Sequence, residues 1–291
     1  MLKKILVPLD GSALSEAALP YAAQIAAKTG SQVVLLHVNG TAYDSGERMR
    51  QLYMEKLSET LGLHALTVHL AGNAAERIID YAGEAGIDLI VMTTHGETGA
   101  KRWALGSVAD KVVRSSRHPV FLVRSRETAS GIRASGQMKK VLIPLDGSEA
   151  AESILPFVEE VAPVLGITVA LFQALGTGFP SVVALGYEHN QHAAHPLAEI
   201  EKEKAAAASY LKKIAARLKA KNIETETYVE IGDAAGEILK KVGEASADLV
   251  AMATHGRSGP ARWVMGSVAD KVLHEGTAPL LLVRSPGARV E

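Results

Sequence analysis

Short apolar runs alternate with amphipathic stretches along this chain of 291 residues. Residues 3–9 form a continuous apolar run, as a strand covered on both faces of a sheet requires. Apolar residues then recur at helical spacing from Ser12, a suitable N-cap, to Thr29, and Gly30 ends this predicted helix. The rest of the first half predicts strand 33–38, helix 47–61, strand 65–70, helix 74–85 capped by Asn73, strand 88–93, helix 107–116 and strand 119–124.

The second half repeats this order and much of the sequence. Between residues 88–125 and 248–285, 21 of 38 positions are identical, which indicates an internal duplication. An additional segment, about 174–197, has no counterpart in the first half, and loops of that length are usually functional or disordered. The predicted elements are strand 139–145, helix 149–165, strand 167–173, helix 197–220, strand 223–230, helix 234–246, strand 248–253, helix 267–275 and strand 279–284.

Strands that alternate with helices predict an α/β fold, with a mainly parallel sheet and helices on both faces. Five strands are expected in each half. We therefore predict two tandem domains, residues 1–126 and 138–291, joined by a linker over 127–137.

A glycine-rich stretch between a strand and a helix occurs once in each half, within 92–112 and 252–272. Glycine lets the backbone approach a ligand closely, and N–H groups in the first turn of a helix bind anions. Ligands of parallel α/β sheets lie beyond the carboxyl ends of the strands, where Asp10 and this stretch are both expected. Each stretch predicts a phosphate site; the alternative is a tight strand-to-helix connection that holds only water or a stray anion.

Composition excludes several classes of protein. The net charge of −1 with interspersed charges gives no electrostatic case for nucleic acid. The absence of cysteine excludes disulfides, thiol catalysis and cysteine-ligated zinc. The N-terminus begins with a strand rather than a signal peptide, and no apolar run approaches ~18 residues, so a soluble cytoplasmic protein is expected, with no membrane partner.

The opening Val7-Pro8-Leu9-Asp10-Gly11-Ser12, the turns at 72–76 and 232–236, and the two glycine-rich stretches resemble the universal stress protein family in its tandem form. The resemblance covers nearly the whole chain. It implies two Rossmann-like domains of the adenine nucleotide alpha hydrolase type. It also implies an intramolecular pseudo-dimer that pairs through the last strands, 120–123 and 280–283; a homodimer of the whole chain is a further expectation.

The resemblance also implies roles for individual residues. In the ATP-binding branch of the family, the loop contains a glycine that is followed, after nine further residues, by Gly-Ser or Gly-Thr. The family's first loop glycine falls here on Thr93 and Ala253, and a side chain there narrows the approach to a ligand, β-branched Thr93 more than Ala253. The implied ligand is ATP, with Mg²⁺. Asp10 and Asp146 would lie near its ribose and base, and Met92 and Met252 would border the adenine, with Val38 opposite. The phosphates would be held by Gly96, Gly106, Ser107, Gly256, Gly266 and Ser267. Gly99 and Gly259 are further binding residues of the two loops, and Arg257 could add positive charge to the second site.

Other interpretations of these residues stay open. Asp10 and Asp146 can instead stabilise a turn before Gly-Ser. His95 and His255 can touch phosphate or act as a base, although no adjacent nucleophile is there to be activated. Trp103 and Trp263 are expected to pack the loop onto a helix. The histidines at positions 189, 192 and 195 are more typical of a mobile insertion than of a metal site. The apolar residues 179–185 of the same additional segment can form a lid or a partner surface.

The leading functional hypothesis is a stress-response protein that binds adenine nucleotide as a sensor or regulator. Walker, dinucleotide-binding, zinc-protease and kinase motifs are absent from the sequence, and no residue is a candidate to position an attacking water, so turnover is expected to be slow or absent. The first alternative is a nucleotide-free interaction scaffold of the same fold. The second is a hydrolase that uses His95 or His255.

Overall fold

The computed structural model describes residues 2–40, 47–60, 62, 64–95, 105–124, 138–176, 194–255 and 265–285, with only the backbone described for residues 47, 50 and 194–197. In the first half the elements are β1 (Lys4–Pro8), α1 (Ala13–Glu16), α2 (Leu19–Thr29), β2 (Gln32–Asn39), α3 (Glu47–Thr60), β3 (Leu66–Ala71), α4 (Ala74–Glu84), β4 (Leu89–Thr93), α5 (Ser107–Ser115) and β5 (Val120–Val123). In the second half they are β6 (Lys140–Pro144), α6 (Glu149–Glu152), α7 (Leu155–Leu165), β7 (Thr168–Leu175), α8 (Ala194–Lys219), β8 (Thr225–Ile231), α9 (Ala234–Glu244), β9 (Leu249–Ala253), α10 (Ser267–Glu275) and β10 (Leu280–Val283).

All ten strands lie in one sheet with the order β3-β2-β1-β4-β5-β10-β9-β6-β7-β8. Within each half the five strands are parallel, as predicted. The halves meet where β5 and β10 pair antiparallel, with Phe121 opposite Leu281. The predicted pairing of the two last strands is therefore confirmed.

Apolar side chains project from both faces of the sheet, because successive side chains of a strand point to opposite faces. On one face, strand residues such as Ile5 and Val7 pack in a core with α2, α3, α7 and α8. On the other face, residues such as Leu6 and Ile90 pack with α4, α5, α9 and α10. The sheet thus lies between two helical layers, which confirms the predicted α/β architecture.

Proline divides two helices that the sequence predicted to be single. The expected helix from Ser12 to Thr29 consists of α1 and α2, and the expected helix 149–165 consists of α6 and α7. Pro20 and Pro156 lie in the first turn of α2 and α7, where the missing N–H is tolerated, whereas inside a continuous helix the same residue would remove a hydrogen bond. The single-helix predictions were wrong for this reason.

The residues predicted to begin and end the helices are found at those positions. Ser12 caps α1 by accepting a hydrogen bond from the Ser15 N–H, and Asn73 caps α4 by accepting one from the Glu76 N–H. Gly30 ends α2 with a left-handed φ of 71°. The additional segment predicted at 174–197 is partly regular, because β7 continues to Leu175 and α8 begins at Ala194.

Candidate functional site

Each half forms a cleft at the carboxyl ends of its central strands. The two clefts have the same volume, ≈140 Å³ each. Cleft one is lined by Pro8, Leu9, Asp10, Ser15, Leu36, Val38, Ala74, Ile78, Met92, Thr93, Thr94, His95, Gly106, Ser107, Val108 and Ala109. Cleft two is lined by Pro144, Leu145, Asp146, Ala151, Phe172, Ala174, Ala234, Ile238, Met252, Ala253, Thr254, His255, Gly266, Ser267, Val268 and Ala269.

One end of each cleft is apolar. In cleft one Met92, on β4, is buried, and Val38, at the end of β2, packs against the same core. In cleft two Met252 keeps the same position, Ala174 replaces Val38 and Phe172 replaces Leu36. Val38 and Met92 therefore line cleft one together, and Met252 lines cleft two. An apolar slot of this kind suits a flat ring system.

The other end of each cleft is the beginning of a helix. Gly106 is the N-cap of α5 and Gly266 is the N-cap of α10, and neither helix has a side-chain cap. The Gly106 N–H donates to the Thr94 carbonyl at 2.8 Å, and the Gly266 N–H donates to the Thr254 carbonyl at 2.9 Å. Ser107 and Ser267 follow in the first turn and are exposed. Uncapped first-turn N–H groups at a helix N-terminus favour an anion.

Asp10 and Asp146 lie on the rim of their clefts and also form the turn that was the alternative interpretation. Oδ1 of Asp10 accepts hydrogen bonds from the Ser12 N–H at 3.0 Å and the Ser12 hydroxyl at 2.6 Å. Asp146 accepts the equivalent pair from Ser148, at 2.9 Å and 2.6 Å. The turn holds each carboxylate at the cleft, so the two interpretations are compatible.

The cleft histidines are held by the threonines that precede them. Nδ1 of His95 lies 3.1 Å from the Thr94 hydroxyl, and Nδ1 of His255 lies 3.0 Å from the Thr254 hydroxyl. Burial lowers the pKa of the His95 imidazole, and the charge of Arg124 lowers it further. At neutral pH His95 is therefore an uncharged group in the wall of cleft one rather than a cation aimed at phosphate.

Thr93 and Ala253 line equivalent positions of the two clefts. Both residues are buried at the end of their strands. The Thr93 hydroxyl donates to the His95 carbonyl at 2.7 Å, which ties it to the backbone. The walls also differ at Leu36 against Phe172 and at Val38 against Ala174.

Arg124 and Arg284 are polar residues near the clefts that the sequence interpretation missed. Arg124 lies close enough to His95 to lower its pKa. Arg284 lines a small cavity that it shares with Thr254 and His255 of cleft two. The available signal is the tetrapeptide Leu-Val-Arg-Ser, which is identical in both halves and spans the end of the last strand.

Several predicted residues lie outside the described part of the chain. They are Gly96, Gly99, Gly256, Arg257, Gly259, Trp103, Trp263, His189, His192, the side chain of His195 and the linker 127–137. Within the described part, no group of three or more His, Asp or Glu side chains is placed to bind a metal ion. The helices described there include none with the length and apolarity needed to cross a membrane.

Comparison with known proteins agrees with the fold and the repeated cleft. A sequence model of the universal stress protein family matches residues 1–124 and again 138–284. The chain belongs to the universal stress protein family, in its tandem form.

Individual relatives match either one half or the whole chain. A universal stress protein of Methanocaldococcus jannaschii, MJ0531, is 34% identical over 139 residues, which cover 42% of this chain and 82% of the relative. A universal stress protein of Mycolicibacterium smegmatis is 25% identical over 303 residues and covers 96% of both chains. The crystal structure of a universal stress protein from Archaeoglobus fulgidus superposes with a TM-score of 0.70, at 20% identity, over 97% of this chain and 98% of that one.

Proposed function

We propose that the protein binds adenine nucleotide, with ATP as the ligand of each cleft, and acts as a sensor or regulator in a stress response. The observation that carries the proposal is the pairing, within one cleft, of an apolar slot and an uncapped helix N-terminus. Adenine would lie between Met92 and Val38, or between Met252 and Ala174. The phosphates would lie at Gly106-Ser107 or Gly266-Ser267, where the backbone N–H groups and the helix dipole favour negative charge.

The aspartates fit the middle of such a ligand. Asp10 and Asp146 line their clefts, and each carboxylate is fixed by the Gly-Ser turn that follows it. A fixed carboxylate accepts hydrogen bonds from hydroxyl groups, so a ribose is the suitable partner. The role of ribose contact for Asp10 and Asp146 is part of the proposal.

Magnesium would reach the clefts with the nucleotide rather than from a protein site. The described residues offer no cluster of metal ligands, and the side chain that begins each helix is a serine. Mg²⁺ is commonly held by substrate phosphates and waters with few protein ligands. When bound, it would neutralise part of the phosphate charge.

Hydrolysis is proposed to be slow or absent. Nδ1 of His95 and of His255 is engaged by a threonine hydroxyl, and the Nε2 atom of His95 is buried with no hydrogen-bond partner among the described residues. A hydrolase that used these histidines would show ATP turnover that collapses in His95→Ala or His255→Ala while binding persists. Turnover that is unaffected by both substitutions would exclude that alternative.

The other alternative is a nucleotide-free scaffold, which the side chains at Thr93 and Ala253 favour. Calorimetric titration of nucleotide-stripped protein with MgATP separates the two. Ser107→Glu and Ser267→Glu each place a carboxylate where phosphate is proposed to lie, at an exposed position where an acidic residue is favourable for the helix. We expect two sites in the unmodified protein, one in each single variant and none in the double variant.

The matched controls are Ser107→Gln and Ser267→Gln, which have the same shape without the charge and should retain binding. Absence of heat at millimolar MgATP in folded protein would overturn the proposal and leave the scaffold. Binding that is unchanged in the double Glu variant would place the nucleotide elsewhere.

A further inference from the structure

Arg124 belongs to the first half but bonds to a helix of the second half. The residue before it is anchored in the first half, because the Thr94 N–H donates to the Val123 carbonyl at 2.9 Å. From there the Arg124 side chain crosses the seam between β5 and β10. Its Nη2 atom donates to the carbonyls of Val272, at 3.2 Å, and of Leu273.

These two carbonyls lie in the last turn of α10. The Val272 carbonyl also accepts the Gly276 N–H at 3.0 Å, whereas the Leu273 carbonyl is one of the last four of the helix, which have no backbone partner within it. The helix dipole makes this end partly negative. A cation that donates hydrogen bonds here stabilises the helix end. Arg124 therefore acts as a C-terminal cap supplied by the other half.

The opposite end of the same helix forms the polar end of cleft two. Helix α10 has only nine residues, and its first residue is Ser267, directly after the N-cap Gly266. Both line cleft two. A helix of two and a half turns transmits a displacement of one end to the other, because its backbone hydrogen bonds run along the whole length.

A second contact across the seam reaches the first turn of this helix, at Asp270. Nη2 of Arg114, on α5, donates to Oδ1 of Asp270 at 3.0 Å, while Nε of Arg114 bonds Asp110 at 2.7 Å. The contact joins side chains and leaves the helix carbonyls untouched. Arg114 therefore provides a comparison in which a contact between the halves is lost at the first turn of α10 rather than at its last turn.

We propose that Arg124 is a positioning residue for the second cleft: by capping the C-terminus of α10 from the first half, it holds Gly266 and Ser267 where they meet the phosphates. The inference rests on the proposed function. It makes the affinity of one cleft depend on a residue of the other half.

Site-resolved titration with MgATP tests the proposal in the full chain. Ser107→Glu blocks cleft one, so that the remaining binding reports cleft two. In this background Arg124→Met should weaken binding by about three- to thirtyfold, the range that a cation at a helix C-terminus spans. Arg124→Lys, which keeps the charge, should restore part of the loss.

Two further measurements separate positioning from other roles. In the Ser267→Glu background, the remaining binding reports cleft one. If Arg124→Met weakens binding to cleft one and leaves binding to cleft two unchanged, Arg124 acts as a charge in its own cleft, and the proposal is overturned. Hydrogen exchange without nucleotide should be faster for the last-turn amides of α10 in Arg124→Met than in Arg114→Met, and equal rates would also overturn it. Absence of MgATP binding to the unmodified protein overturns the proposed function, and this inference with it, before any arginine variant is measured.

Discussion

His37 and Gln173 occupy equivalent positions on β2 and β7 and differ in how their polar atoms are satisfied. Nδ1 of His37 donates to the Leu9 carbonyl at 2.8 Å, and Nε2 lies 2.7 Å from Oδ1 of Asn39. In the second half Leu175 replaces Asn39. The Gln173 side chain is buried, and its Oε1 atom has no hydrogen-bond partner among the described residues. The same site therefore stabilises one half and weakens the other.

Replacing Gln173 by methionine should stabilise the protein. The substitution removes a buried acceptor that lacks a partner and keeps the side-chain volume similar, so the free energy of unfolding should rise by about 1 kcal/mol. Chemical denaturation measures the change, and His37→Met is the control that should have the opposite sign. A loss of stability in Gln173→Met would mean that the amide has a partner in solution.

At the scale of elements, the loops and helices of the clefts show what could be predicted from sequence. Strand and helix order follow from the spacing of apolar residues, and the helix starts at Ser12 and Asn73 follow from capping chemistry. The division of two helices at Pro20 and Pro156 could have been predicted from the position of each proline but was not. The contact of Arg124 with α10 joins residues almost 150 positions apart and depends on strand order, which local patterns do not contain.

The two N-cap glycines differ in the space around them. A Cβ added at Gly106 would lie 3.0 Å from the Thr94 carbonyl oxygen, whereas at Gly266 the distance to the Thr254 oxygen would be 3.3 Å. Gly106→Ala should therefore destabilise the protein by about 1–3 kcal/mol, and Gly266→Ala by less. Denaturation midpoints of the two variants compare the effects. Equal losses would show that the backbone at Thr94 relaxes.

Helix α8 is held to α7 by a partly buried ion cluster. The Glu159 side chain is 8% exposed and lies 2.5 Å from Nε of Arg217 and 2.6 Å from Nζ of Lys221. Burial raises the pKa of the Glu159 carboxyl, but the bonds from Lys221 and Arg217 outweigh burial and lower it below its usual value. Because the folded pKa is lowered, the stabilisation is present above the unfolded value and is lost as pH falls below it.

Glu159→Gln should lower the free energy of unfolding by about 1–2 kcal/mol at pH 7, a modest cost because Arg217 and Lys221 are half exposed. The deficit relative to the unmodified protein should shrink as pH falls below the unfolded value, about 4.3, and through the lowered pKa of the native carboxyl. Denaturation at several pH values measures this. Glu203→Gln, at an exposed position on α8, is the control, and a deficit independent of pH would contradict the assignment.

At the scale of the whole molecule, the seam between β5 and β10 makes one sheet from two halves. Residues 120–123 are all buried, and Phe121, at the centre of the seam, also packs its ring 5.5 Å from the ring of Tyr21. An apolar strand of this kind at an open edge would be a template for pairing with another chain. The second half covers that edge.

Residues 1–124 expressed alone should therefore associate through β5. We expect an antiparallel homodimer with Phe121 facing its copy, measured by analytical ultracentrifugation at tens of micromolar protein. Phe121→Asp should prevent association, because like charges would face each other across the axis. A folded monomer of the unmodified half would contradict the prediction, with circular dichroism as the check on folding.

The antiparallel seam within a single chain also bears on how the two sites change over time. In a symmetric homodimer one gene sets both sites, so every substitution appears in both at once. Here separate codons encode the two clefts, which differ at Val38 against Ala174, Leu36 against Phe172 and Thr93 against Ala253. Covalent linkage also fixes the ratio of the two sites at one to one at any protein concentration. The duplicated chain thus keeps two unlike ligand sites together as a permanent pair, each free to acquire its own affinity.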